Sequence, residues 1–126
     1  MSVTYNLSSH FNYDDVTNSK IMELKIGNQI LLSNISFRKA SNDIIEYVHS
    51  INGDNYYDIL EDSGLKFKMG NVSDKGYKYI PDFGISIQYS NTYNTLYAIK
   101  KLSLKYGVRT QIKILSLGGQ YFNYSF

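Results

Sequence analysis

The sequence predicts an α+β fold in one domain, spanning residues 1–126. A mixed or mainly antiparallel sheet is expected, with two short helices near residues 41–52 and 54–63 and one longer helix near 91–106. Three observations carry this. Short stretches such as Ile85–Tyr89 and Val108–Leu117 alternate apolar and polar residues, the period of a half-buried strand. Leu96, Ile99, Leu102 and Tyr106 recur at spacings of three and four, the period of a helix with one buried face. Glycines stand at the ends of the helical stretches and between the strands, where positive φ angles are needed.

Taken in order, Val3, Tyr5 and Leu7 alternate with polar neighbours and read as a first strand. A polar, turn-rich stretch, Ser8–Ser19, follows as a loop. Lys20–Ile26 and Gln29–Phe37 flank Gly27-Asn28, a dipeptide suited to a hairpin turn. Met22, Leu24 and Ile26 are expected on one face of the first arm, opposite Ile21, Glu23 and Lys25. On the return arm Leu31, Ser33, Ile35 and Phe37 share a face. Ser41 is an expected helix N-cap, with Asp43 in the first turn and Ile44, Ile45, Val48 and Ile51 inward. Gly53 ends that helix, and Asp54 is expected to cap the next, which Gly64 stops. Leu65–Met69 and Tyr77–Ile80 are short strands placed to pair as a hairpin. Pro81 breaks the sheet before Ile85, since it has no N–H to give to a ladder. Asn91 or Thr92 caps the main helix and Gly107 closes it. Gly118-Gly119 forms a two-residue loop between the last two strands.

A chain of this length buries a core without covalent staples. It has no cysteine, which excludes a disulfide framework and a thiolate metal site. The first residues lack a basic segment followed by an apolar one, so no secretory signal is read there. No apolar run approaches the roughly 20 residues that span a bilayer, so no membrane partner is expected. The 13 tyrosines and abundant Asn, Ile and Lys correspond to AT-rich codons. Low-GC bacteria, their phages and their mobile elements have such genomes, and a cytoplasmic location in a bacterial host is expected.

Catalytic motifs are missing from the pattern. There is no Walker-type phosphate loop and no GxGxxG. His10 and His49 lie far apart, and neither has a His or Cys at ligand spacing. No cofactor and no metal are expected. A small hydrolase using His49 or His10 as base remains a second alternative, because nucleophile and base converge in space rather than in sequence.

Charge is unevenly spread. Residues 1–63 carry four basic against nine acidic groups, and residues 64–126 carry nine basic against two acidic groups. Either each face meets an electrostatic partner, or the two halves place their charges beside each other. Asp54, Asp58, Glu61 and Asp62 form an acidic patch, which reads as a site for a cation or basic partner or as a capped, solvated helix face. Tyr97, Lys100, Lys101, Lys105, Arg109 and Lys113 combine an aromatic ring with cations, the composition of a binding surface. Helix-end electrostatics accounts equally for the lysines near Gly107. Phe122, Tyr124 and Phe126 share a face of the last strand, which at a sheet edge would offer itself to a second copy or another protein; tucked into the core, it would not.

The expected function is that of a non-enzymatic protein-binding inhibitor from a phage or mobile genetic element. It would block a host defence nuclease, itself part of a nucleic-acid-binding complex, by steric occlusion, as anti-CRISPR proteins do. The alternative is a nucleic-acid-binding accessory protein working through the basic, tyrosine-rich second half.

Overall fold

The computed structural model describes residues 16–31, 34–89 and 91–126. The expected strand at Val3–Leu7 and His10 lie outside the described residues. The order is β1 (Lys20–Ile26), β2 (Gln29–Leu31), α1 (Phe37–Asn52), α2 (Tyr56–Ser63), β3 (Lys66–Met69), β4 (Tyr77–Ile80), β5 (Ile85–Gln88), α3 (Thr92–Tyr106), β6 (Thr110–Leu115) and β7 (Tyr121–Ser125). This is an α+β arrangement. Its strands divide between two antiparallel sheets rather than one, ordered β2-β1-β6-β7 and β3-β5-β4. The strand–helix–strand run β5-α3-β6 therefore crosses from one sheet to the other.

Gly27-Asn28 makes the expected turn, with Ile26 opposite Gln29. Gly27 takes a φ of 57°, and the Tyr47 hydroxyl packs so closely that an added Cβ would stand 2.2 Å from it. Glycine is required there both by conformation and by that approach. The pairing of β1 with β6 shifts between Ile21 and Glu23. This bulge puts Ile21, not Met22, on the buried side with Leu24 and Ile26. β6 answers with Thr110, Ile112 and Ile114, and β7 with the aromatic run Phe122, Tyr124 and Phe126.

Of the expected return strand to Phe37, Gln29–Leu31 is strand, and Ile35 meets β1 only through an isolated bridge to Ile21. Asn34 has a φ of 66°, which no strand continues through, and Ser36 then caps α1 by accepting from the Lys39 N–H. α1 thus begins four residues before the expected start. Ser41, read as the cap, is buried inside the helix and donates to the Arg38 carbonyl. Asn55, not Asp54, caps α2, its side chain accepting from the Asp58 N–H at 2.9 Å. α3 begins and ends as expected, on Asn91 and Gly107.

The 3-stranded sheet differs in one instructive way. β3 and β4 do not pair with each other; both flank β5. β5 is central and buried on both faces, so Ser86 is as buried as Ile85 and Ile87. Its hydroxyl donates to the Gly70 carbonyl at 2.7 Å and accepts from the Val72 N–H at 2.8 Å. This oxygen ties the start of the loop after β3 to the sheet, and the Gln88 amide, donating to the Lys75 carbonyl at 2.7 Å, ties its far end. The last hairpin also differs: Ser116 and Gln120 close a loop of three residues, with Gly119 alone at positive φ.

The core gathers Ile21, Leu24, Ile44, Ile45, Leu60, Ile85, Ile87, Leu96, Ile99 and Leu102, all buried. α1 packs on α3 and on β1, and α2 packs on both other helices. Ser86→Ala should lower the unfolding free energy by about 1 kcal/mol, because a half-buried N–H and a carbonyl lose the partner they share. Urea unfolding of the two proteins measures this; an unchanged midpoint would show that the Gly70–Val72 segment opens to water at no cost.

Candidate functional site

α3 buries Leu96, Ile99 and Leu102 and so turns Tyr97, Lys101 and Leu104 outward. Tyr97 is 42 % exposed. The Lys101 ammonium lies 5.0 Å from the centre of its ring, and the Tyr93 ring lies one turn back at 6.3 Å. These side chains form one wall of a cleft of about 490 Å³. The opposite wall comes from Ser63–Lys66 and Gln88. Gly64 ends α2 in the left-handed region, and its missing side chain leaves room for Lys101: a Cβ would come within 2.8 Å of the ammonium. Among the described residues no carboxylate lines the cleft, and Lys66 adds a second cation. An exposed ring held by a cation over its face, in a positively charged cleft, suits an acidic or π-bearing partner.

The remaining members of the predicted basic set are dispersed. Lys105 pairs with Asp62 on α2 at 3.2 Å. Lys113 reaches Glu23 on the neighbouring strand at 3.9 Å and lies 5.0 Å from the Tyr121 ring centre. Lys100 is half-buried and Arg109 is exposed just before β6. Only Tyr97 and Lys101 of that set share the cleft; Tyr93 and Lys66 complete it. Helical spacing could have found Tyr93, since it stands four residues before Tyr97. Lys66 comes from another element, so nothing local in the sequence points to it.

The acidic patch does not converge on one point in solvent. Asp62 accepts a hydrogen bond from the Tyr106 hydroxyl at 2.5 Å. Burial pushes the Tyr106 phenol above its ordinary value, and the Asp62 hydrogen bond and the fields of Asp62, Asp54 and Asp58 push the same way. Of these carboxylates, Asp62 is the one that touches α3. Glu61 turns to the Tyr57 hydroxyl, whose ionisation it opposes.

His49 stands at one end of a stacked cluster. Its Nδ1 donates to the Asp54 carbonyl at 2.7 Å. Its ring stacks on Tyr56 at 4.1 Å, and Tyr56 stacks on Phe83 at 4.4 Å. The Tyr56 hydroxyl donates to Glu46 at 2.8 Å. Burial and that carboxylate push the Tyr56 phenol up to about 12. The hydrogen-bond partner of His49 is a helix-end carbonyl, not a hydroxyl that it could activate. Among the described residues no three His, Asp or Glu side chains are grouped to hold a metal ion, and no helix is long and apolar enough to cross a membrane.

β7, which carries Phe122 and Tyr124, is the edge of its sheet, one of the two placements the sequence leaves open. Tyr124 is buried, and Phe122 and Phe126 pack partly buried against the core. The side exposed to solvent carries Tyr121.

Comparison with known proteins finds no matching family model, no similar curated protein and no similar solved structure.

Raising the pH should destabilise the fold between pH 10 and about 12. Below pH 10 Tyr56 is protonated whether folded or unfolded; above it the unfolded chain ionises first, and the native advantage is lost as pH climbs to the folded value. Urea midpoints across this range should fall for the natural chain and fall less steeply for Tyr56→Phe. Equal slopes would count against the Glu46–Tyr56 contact.

Proposed function

We propose that this chain is a non-enzymatic, protein-binding inhibitor carried by a phage or mobile genetic element. It occludes a functional surface of a host defence nuclease in the bacterial cytoplasm. The tyrosine–lysine cleft on α3 carries the reading. Tyr93 and Tyr97 are large, stiff and amphipathic, the properties of interface anchors. Lys66 and Lys101 favour a partner loop that presents Asp or Glu. The AT-rich residue usage supports a low-GC bacterium, phage or mobile element as the source.

A second reading, nucleic-acid binding, has one observation in its favour: among the described residues the cleft gathers cations and rings and no carboxylate. Against it, Lys105 and Lys113 are engaged by Asp62 and Glu23, so the basic half offers no unbroken track for a phosphate backbone.

The test is plating efficiency of a targeted phage on a low-GC bacterium with an active nuclease defence. Expressing the chain should raise it, and Tyr97→Ala/Lys101→Glu should abolish most of the gain while leaving the circular-dichroism spectrum unchanged. Interface anchors of this kind contribute about 2 kcal/mol or more, roughly a thirtyfold loss of affinity. No gain against any nuclease-based defence would sink the inhibitor reading. Saturable binding of single-stranded DNA, steeply weakened by salt, would replace it with the second.

A further inference from the structure

The tyrosine–lysine cleft opens onto one edge of the 3-stranded sheet. Lys66 and Gln88, which line it, stand opposite each other on β3 and β5. Cross-strand partners share a face of a sheet, and so do residues two apart along a strand. Lys68 therefore lies on the same face as Lys66 and Gln88, one step beyond the cleft. Its ammonium sits 4.9 Å from the centre of the Tyr77 ring, and Tyr77 stands opposite Gln88 on β4. The cleft thus runs on into a strip that is also basic and aromatic.

β3 pairs with β5 alone and is an edge of its sheet. The main-chain N–H and C=O groups along its other side have no strand partner among the described residues. Lys66, Lys68 and Met69 are exposed, Met69 by 59 %. No carboxylate among the described residues lies within ion-pairing distance of Lys66, Lys68 or Lys101. Phe67 and Met69 occupy the opposite face, where the exposed Tyr57 ring meets Phe67 edge-on at 5.3 Å.

This pattern selects the occupant. An antiparallel second copy centred on Phe67 would set Lys66 against Lys68, and like charges opposite each other destabilise a pair of strands. An acidic strand is attracted instead. β4, the other edge, carries a single lysine and runs into Pro81. We propose that β3 receives an extended segment of the target protein as an added strand. Asp or Glu at alternate positions of that segment meets Lys66 and Lys68, and apolar residues between them meet Phe67 and Met69. Main-chain hydrogen bonds supply affinity in such pairing, and the alternate side chains supply specificity. The inference rests on the reading of the adjoining cleft as a protein-binding surface, and it specifies the conformation and chemistry of what enters.

The probe is the peptide acetyl-Val-Glu-Val-Glu-Val-Glu-Val-amide, titrated into the full chain while backbone amide shifts are followed by NMR. Binding should saturate and should move the amides of residues 65–69 most. The same peptide N-methylated at every residue should not bind, because an added strand needs those donors. Lys68 is exposed and does not line the cleft, so Lys68→Glu should leave fold and cleft in place while weakening the peptide roughly tenfold. Lys25→Glu, the same reversal at an exposed residue of the other sheet, should leave the affinity intact. No binding, equal binding of the N-methylated peptide, or equal affinity after Lys68→Glu would overturn the added strand, as would an equal loss with Lys25→Glu. Oligothymidylate moving the same amides at lower concentration than the peptide would assign the strip to nucleic acid instead. A chain that raises plating efficiency but ignores the peptide overturns the added strand alone. A chain that binds the peptide but raises no plating efficiency supports the strand and sinks the inhibitor reading.

Discussion

The buried stripe of α3 is the constraint on which the rest of the structure depends. Leu96, Ile99 and Leu102 are inaccessible to solvent, and each is worth roughly 1.5–3 kcal/mol of apolar burial. The helix joins the two sheets in sequence and packs on both other helices. Its far end is tied by Ser103, whose hydroxyl donates to the Ile99 carbonyl and meets the Thr110 hydroxyl at 2.7 Å. With the stripe fixed inward, the rotation of the helix is fixed, and so are the residues it shows to solvent. Tyr97 and Lys101 are exposed because Leu96 and Ile99 are not.

The charge asymmetry of the sequence is largely an arrangement within the fold. Acidic groups of the first half meet basic or phenolic groups of the second: Asp62 meets Lys105 and Tyr106, and Glu23 meets Lys113. Such exposed pairs stabilise by only about 0–1 kcal/mol. Their larger consequence is negative: lysines engaged at home present less charge to a partner. The cations left distinctive by position are Lys66 and Lys101 in the cleft beside α3.

Elements with a local signal were legible in the sequence. The main helix was read within one residue because Asn91, the apolar period and Gly107 agree with one another. The Gly27 hairpin was read correctly for the same reason. What failed was set by distant contacts. A bulge moved Ile21 to the core, and nothing local distinguishes Ile21 from Met22. Ser86 was read as facing out, because alternation assumes a strand with one wet face, and β5 has two dry ones. Ser41 and Asp54 were plausible caps displaced by Ser36 and Asn55, residues of equal capping chemistry a few positions away. The cleft on α3 was legible only in part: Tyr97 and Lys101 stand in the expected basic set, whereas Lys66 reaches the cleft from another element and nothing local points to it.

The flank of α3 that lines the cleft follows from the period of the helix. Tyr93, Tyr97 and Lys101 stand four residues apart in turn, and residues at that spacing share a face. The Lys101 ammonium therefore comes to lie 5.0 Å from the centre of the Tyr97 ring, one turn back along the helix. Leu96, Ile99 and Leu102 occupy the opposite, buried side. A substitution at Tyr97 or Lys101 thus changes the cleft without touching the residues that hold the helix against the core.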